Sequence, residues 1–193
     1  NMGDILSKQL YSKDVHFSFE LTANKYKFHS PVMTTKKLHF ELLDEDLTNT
    51  EGAEGCLAIF NNEQGFQFKN VEAISSVGES TKKSSKDAGY IGEKGIGFKS
   101  VFSVTSAPHI FSNGYQSSFK EKDPITELGY IIPYWIDNVP PMVQERLHSF
   151  TTCILLPLKG GASTRKKIEE ELSNLDSTLL LFLNKVTETT VSV

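Results

Sequence analysis

The residues from Gly89 to Thr105, GYIGEKGIGFKSVFSVT, constrain this chain more than any other stretch. Gly92, Gly95 and Gly97 punctuate the segment, and an apolar helix-like run (Ile96, Phe98, Val101, Phe102) overlaps and follows it. Glycine reaches φ > 0 and lets backbone N–H groups approach a ligand with no Cβ in the way. A helix that opens at the end of such a loop presents unpaired N–H groups and the positive end of its dipole. The combination is an anion cradle of the kind that holds nucleotide phosphate. Between residues 82 and 99, Lys82, Lys83, Lys86, Lys94 and Lys99 face only Asp87 and Glu93, a local charge of about +3 in a chain of formal net charge −4.

Two familiar phosphate loops do not fit. The dinucleotide fingerprint runs G-x-G-x-x-G after a buried strand, whereas here the order is G-x-x-G-x-G and the preceding Ser84–Ala88 is polar. The P-loop requires lysine directly after its last glycine, but Phe98 separates Gly97 from Lys99 and Ser100. A P-loop NTPase or kinase is therefore disfavoured. The competing structural reading is a glycine-rich surface loop that caps a core helix.

Upstream segments weigh against that bland reading. In KDVHFSFELTAN (13–24), Glu20 and Asn24 are four residues apart and share a helix face. A carboxylate there can orient and deprotonate water, and an amide oxygen suits Mg²⁺. An apolar strand, CLAIFN (56–61), runs into a polar turn ending at Gly65, and VEAISSVGESTKK (71–83) reads as a helix leading into the lysine-rich segment. Helix with E-x-x-x-N, strand to polar turn, helix, flexible segment, then G-x-x-G-x-G: this order resembles the GHKL ATPase superfamily. The stretches NNEQGF, VGESTKK, GYIGEKGIGFKSVF, HIFSNGYQSSF and LGYIIPYW look like the chaperone-type ATPase domain of sacsin and NO VEIN-like proteins. The resemblance covers roughly residues 4 to 185.

The resemblance implies a Bergerat-type fold: α+β, a two-layer sandwich of a mixed, mostly antiparallel sheet with helices on one face. It implies ATP or ADP as ligand, Mg²⁺ held by Asn24, and Glu20 as the general base of a slow hydrolysis that drives lid closure. Gly92, Gly95, Ile96, Gly97 and Phe98 would line the phosphates, with Lys94 and Lys99 adding charge; Ser80 and Thr81 fall in the 79–91 lid. Asn61, Glu63 and Gly65 occupy the adenine motif, with Asn61 where relatives carry aspartate and Glu63 where they carry glycine. Thr152, or its neighbour Thr151, matches a threonine near the adenine. Relatives continue N-A-x-D after the helix asparagine, whereas Lys25, Tyr26 and Lys27 follow Asn24 here. That departure and Asn61 favour a rival reading, a domain that binds nucleotide without hydrolysing it; a pure interaction module is a third.

At 193 residues the default is one domain, read as the N-terminal fragment of a longer protein. The longest apolar runs, CILLPL and LLLFL, are core-sized, so no membrane contact is expected. No secretory signal is visible, and Cys56 and Cys153 in apolar runs read as buried reduced thiols of an intracellular protein. A pI near 5.8 argues against a nucleic-acid footprint. The expected partners are nucleotide, a protein client or following domains, and a second copy in a nucleotide-dependent dimer. Elsewhere, KLHFELL (37–43) alternates as a strand that pairs with 56–61 across an acidic loop without evident order. Asn113-Gly114 marks a hairpin, Trp135 a residue packed on the sheet, TTCILLPLK a buried strand, STRKKIEEELSNLDSTLLLFL an amphipathic helix, and VTETTVSV a closing strand.

Overall fold

The computed structural model describes residues 35–75, 100–120, 132–173 and 187–193. Strand β1 (Lys37–Leu43) alternates, with Leu38, Phe40 and Leu42 buried on one face. Strand β2 (Cys56–Asn61) is buried at every position, as its unbroken apolar run requires of an interior strand. Helix α1 (Phe68–Ser75) begins three residues before the periodicity predicts. At the far end of the glycine segment, Ser100–Ser103 forms a single 3₁₀ turn with Val101 and Phe102 buried, where the apolar run predicts a helix.

The hairpin of β3 (His109–Ser112) and β4 (Tyr115–Ser118) forms where Asn113-Gly114 predicts it. Asn113 (φ 51°) and Gly114 (φ 83°) both take the left-handed backbone that a two-residue turn needs to match strand twist. A short β5 (Tyr134–Trp135) follows, then α2 (Pro141–Arg146), β6 (Thr152–Pro157), α3 (Gly161–Ser173) and β7 (Glu188–Ser192). Proline starts α2, where a missing N–H costs nothing.

The strands form one sheet of order β5-β4-β3-β6-β2-β1-β7 among the described residues. Only β1–β7 is parallel, so the expected mixed, mostly antiparallel α+β arrangement holds. One face carries Leu38, Phe40, Leu57, Ile59, Ile110, Ile154 and Leu156 in a cluster with Ile74 of α1 and Ile168 and Leu172 of α3. The opposite face carries Cys56, Ala58, Phe60, Phe111, Cys153 and Leu155, joined by Val143 of α2. Helix α2 packs Val143 against this second face, and the sequence does not announce it because Asn138-Val139-Pro140-Pro141 reads as a break.

Two expectations need correction. Trp135 is 60% exposed on the short β5, so it is not packed on the sheet. The acidic loop after β1 is ordered: the Asp46 carboxylate accepts the N–H groups of Thr48 (3.0 Å) and Thr50 (2.6 Å) and the Thr48 hydroxyl (2.8 Å). His39, which carries no partner pattern in sequence, is buried, with Nδ1 2.5 Å from Thr190 Oγ1 and Nε2 3.4 Å from Glu41 Oε2. Cys56 and Cys153 are free and buried as expected. Burial pushes the Cys56 thiol up to about 11 and raises Cys153 well above the usual thiol range.

Candidate functional site

The apolar ladder on the α1/α3 face of the sheet gives way, at one end of the strands, to a polar row. Asn61 closes β2, Thr152 opens β6 and Ser112 closes β3; Asn61 and Thr152 are Cα partners, and so are Thr152 and Ser112. The alternation of strand side chains puts all three on the face of Ile59, Ile154 and Ile110, one pleat further along. All three are buried: Asn61 is 4% exposed, and Ser112 and Thr152 are each 2% exposed.

Hydrogen bonds join the row to the turn after β2. Asn61 Oδ1 accepts the Glu63 N–H at 3.3 Å, and the Asn61 carbonyl accepts the Thr151 N–H at 2.9 Å. Ser112 Oγ lies 2.5 Å from Thr152 Oγ1 and accepts the Phe66 N–H at 2.8 Å. Asn113 Nδ2 donates to the Phe66 carbonyl at 3.1 Å, so the hairpin end holds both backbone groups of Phe66. Asn62, next to the row, is spent on structure: Oδ1 accepts the Lys37 N–H at 2.7 Å and Nδ2 donates to the Thr35 carbonyl at 2.7 Å.

Gly65 is the tightest point of the arrangement. Its φ of +81° is left-handed, and a Cβ there would lie 2.8 Å from Thr151 Cγ2 and 3.0 Å from Asn113 Cβ. Glycine is thus required twice, by the backbone and by the space. The side chain of Glu63 is buried beside this turn, at 6% exposure. An open depression of about 440 Å³ adjoins the turn, lined by Asn113, Gly114 and residues 147–151.

Of the sequence-derived candidates, the structure brings together Asn61, Glu63, Gly65 and Thr152. It also chooses between the two threonines: Thr152 faces the row, whereas Thr151 gives its backbone N–H to Asn61 and packs its methyl against Gly65. Ser112 was missed, because an isolated serine before Asn-Gly reads as hairpin punctuation. Glu20, Asn24, Ser80, Thr81, Gly92, Lys94, Gly95, Ile96, Gly97, Phe98, Lys99 and the 79–91 lid lie outside the described residues. Among the described residues, no group of three or more His, Cys, Asp or Glu is placed to hold a metal ion, and no helix is long and apolar enough to cross a membrane.

The family model for the sacsin domain matches residues 12–128, which include β1 to β4 and the Asn61–Gly65 turn. The chain belongs to the sacsin-domain family. It is also similar to Protein NO VEIN of Arabidopsis thaliana, at 39% identity over 194 residues covering 94% of this chain. The chain spans 7% of the length of that curated relative.

Proposed function

We propose that this sacsin-domain chain is an ATP-binding module of the GHKL type, a Bergerat two-layer sandwich in which the polar row receives the adenine. One observation carries the reading. Asn61 and Thr152, singled out far apart in the sequence, are register partners at the polar end of an otherwise apolar sheet face, and the Gly65 turn is packed against Thr151 beside them. The amino edge of adenine offers N–H donors next to a ring-nitrogen acceptor. Asn61 Oδ1 keeps a lone pair beyond the one given to Glu63, and Thr152 carries a hydroxyl. A neutral amide accepts more weakly than the aspartate of relatives, so the base is held less tightly here.

The phosphate end of the proposal rests on the family resemblance. Gly92, Gly95, Ile96, Gly97 and Phe98 would cradle the phosphates, Lys94 and Lys99 would add charge, and Ser80 and Thr81 would contact them from the lid. Asn24 would hold Mg²⁺, which would supply charge neutralisation at the phosphates, and Glu20 would orient the attacking water. Positioning and charge stabilisation dominate such transfer. Hydrolysis then drives lid closure and rearrangement toward following domains, a protein client or a second copy, in an intracellular, chaperone-like role. Related ATPases draw a basic residue from a following domain, so turnover by the isolated module is weak. Asn61 in place of aspartate favours a second reading, a nucleotide-gated scaffold without hydrolysis.

Isothermal titration of Mg-ATP, Mg-ADP and Mg-GTP into the full-length protein tests the reading, with Gly95→Asp beside the wild type. Adenine-selective binding that Gly95→Asp abolishes is the expected result. Absence of heat and of thermal shift with every nucleotide overturns it and leaves an interaction module. Binding without turnover, unchanged by Glu20→Ala, selects the scaffold.

A further inference from the structure

We infer that Asn113 is a positioning residue for the base end of this site: its side-chain amide anchors the far end of the turn that follows Asn61 and carries Glu63 and Gly65. The inference rests on the nucleotide reading above and adds a residue to it.

The strand order β3-β6-β2-β1 dictates the path of this turn. It leaves β2 at Asn61 and reaches the end of β3, two strands away, so it crosses the start of β6 as a strap. Gly65 marks the crossing, where a side chain would meet Thr151 Cγ2 at 2.8 Å. Asparagine amides tie both ends of the strap. On the β1 side, Asn62 Oδ1 accepts the Lys37 N–H and Asn62 Nδ2 donates to the Thr35 carbonyl, each at 2.7 Å. On the β3 side, Asn113 Nδ2 donates to the Phe66 carbonyl at 3.1 Å, and Ser112 Oγ accepts the Phe66 N–H at 2.8 Å. Between the ties, the Glu63 N–H donates at 3.3 Å to Asn61 Oδ1, the acceptor proposed for the adenine amine. The position of the strap therefore sets the direction of that acceptor.

Turn chemistry alone does not require asparagine at 113. The position is left-handed, at φ 51°, and precedes Gly114 in a two-residue hairpin turn, a place that Asn, Asp and Gly all fill. Of the three, only asparagine carries a side-chain N–H donor. Aspartate would turn a carboxylate oxygen toward the Phe66 carbonyl, and glycine would leave that carbonyl without this bond. Core packing does not require the contact either. Asn113 is exposed, and the Phe66 ring is held separately, 4% exposed in the cluster with Ile74 and Ile110. What the bond fixes is the backbone of the strap where it meets β3. A slack strap would move Gly65, then the Glu63 N–H, and with it the Asn61 amide, while the core beneath stays packed.

Isothermal titration of Mg-ATP and Mg-GTP into the full-length protein tests this, with Asn113→Asp and Asn113→Gly beside the wild type. Both substitutions suit the hairpin turn and remove the donor. ATP affinity is expected to fall about 5-fold, the worth of one neutral hydrogen bond, and further in the aspartate variant. GTP affinity should change little, so the preference for ATP over GTP narrows by the same factor. An asparagine with a merely structural role would weaken both nucleotides alike and leave the preference intact. That result in both variants overturns the inference while the nucleotide reading stands. Wild type that binds neither nucleotide, or both equally, removes the inference and the adenine reading together. Should Asn113→Asp not fold, Asn113→Gly carries the test alone, because glycine takes the left-handed position without strain.

Discussion

Two cross-strand triplets lie one residue apart at the same end of the sheet and share almost nothing chemically. Ser112, Thr152 and Asn61 face α1 and α3; Phe111, Cys153 and Phe60 face α2. Both are buried, and both sit in strands whose hydropathy reads as continuous core. The aromatic triplet completes itself by packing: Phe60 lies 5.5 Å from Phe150 and 6.0 Å from His39, ring centre to ring centre. The polar triplet completes itself only in part, through hydrogen bonds to the Gly65 turn, and keeps donor and acceptor capacity in reserve. Burial alone therefore does not mark a functional position. Burial with hydrogen-bonding capacity left over is what singles out the polar triplet as a candidate, because stability alone does not require it.

The comparison breaks first on stability. Phe60→Ala is expected to cost about 3–5 kcal/mol in urea denaturation, the usual cost of emptying an aromatic site in a core, while the folded fraction keeps its nucleotide affinity. Loss of affinity beyond the unfolded fraction would mean that the two faces are not separable. Gly65→Ala comes next, at roughly 1–3 kcal/mol for a non-glycine residue held at a strained left-handed backbone against a neighbouring side chain. Here binding should fall with stability, since the turn is part of the polar face; a variant that binds normally would detach Gly65 from the site.

Thr152→Val sharpens the contrast from the other side. The change is nearly isosteric and removes one hydroxyl, so stability should move by no more than about 1.5 kcal/mol, while titration shows ATP affinity about 5-fold lower. The smallest effect at neutral pH belongs to the thiols. Burial favours the neutral form of Cys56, so its pKa rises from 9.0 in an open environment to about 11 in the fold. Above pH 9 the unfolded chain releases a proton that the folded chain retains, and stability falls as pH rises toward 11, while below pH 9 it is flat with respect to this group. Urea midpoints at pH 8 and pH 10.5 check the sign, and a midpoint that does not fall at the higher pH rules it out.

Much of the fold was legible because the relevant signals are local. Strands β1 and β2, their pairing, the Asn113-Gly114 hairpin, β6 and β7 follow from alternation, apolar runs and one turn dipeptide. Less was legible where the deciding partner is distant. Asp46 orders its loop through backbone N–H groups that no pattern announces, His39 depends on Thr190 from the far end of the chain, and α2 hides behind prolines that serve as its start. The candidate site divides in the same way: Asn61, Gly65 and Thr152 are readable from motif position, whereas Ser112 becomes visible only when β3 is laid beside β6.

Sequence by itself determined the strand composition, the glycine-rich segment and the sacsin-domain membership, all of which are carried by residue order and spacing. Tertiary structure alone decided which of two adjacent threonines turns inward, why position 65 accepts no side chain, and that the Ser112 and Thr152 hydroxyls share a hydrogen bond. The physical reason is that face and register have a period of two along a strand. A one-residue step exchanges Phe60 for Asn61 and Cys153 for Thr152, and only the pairing of separate strands fixes which set meets the other.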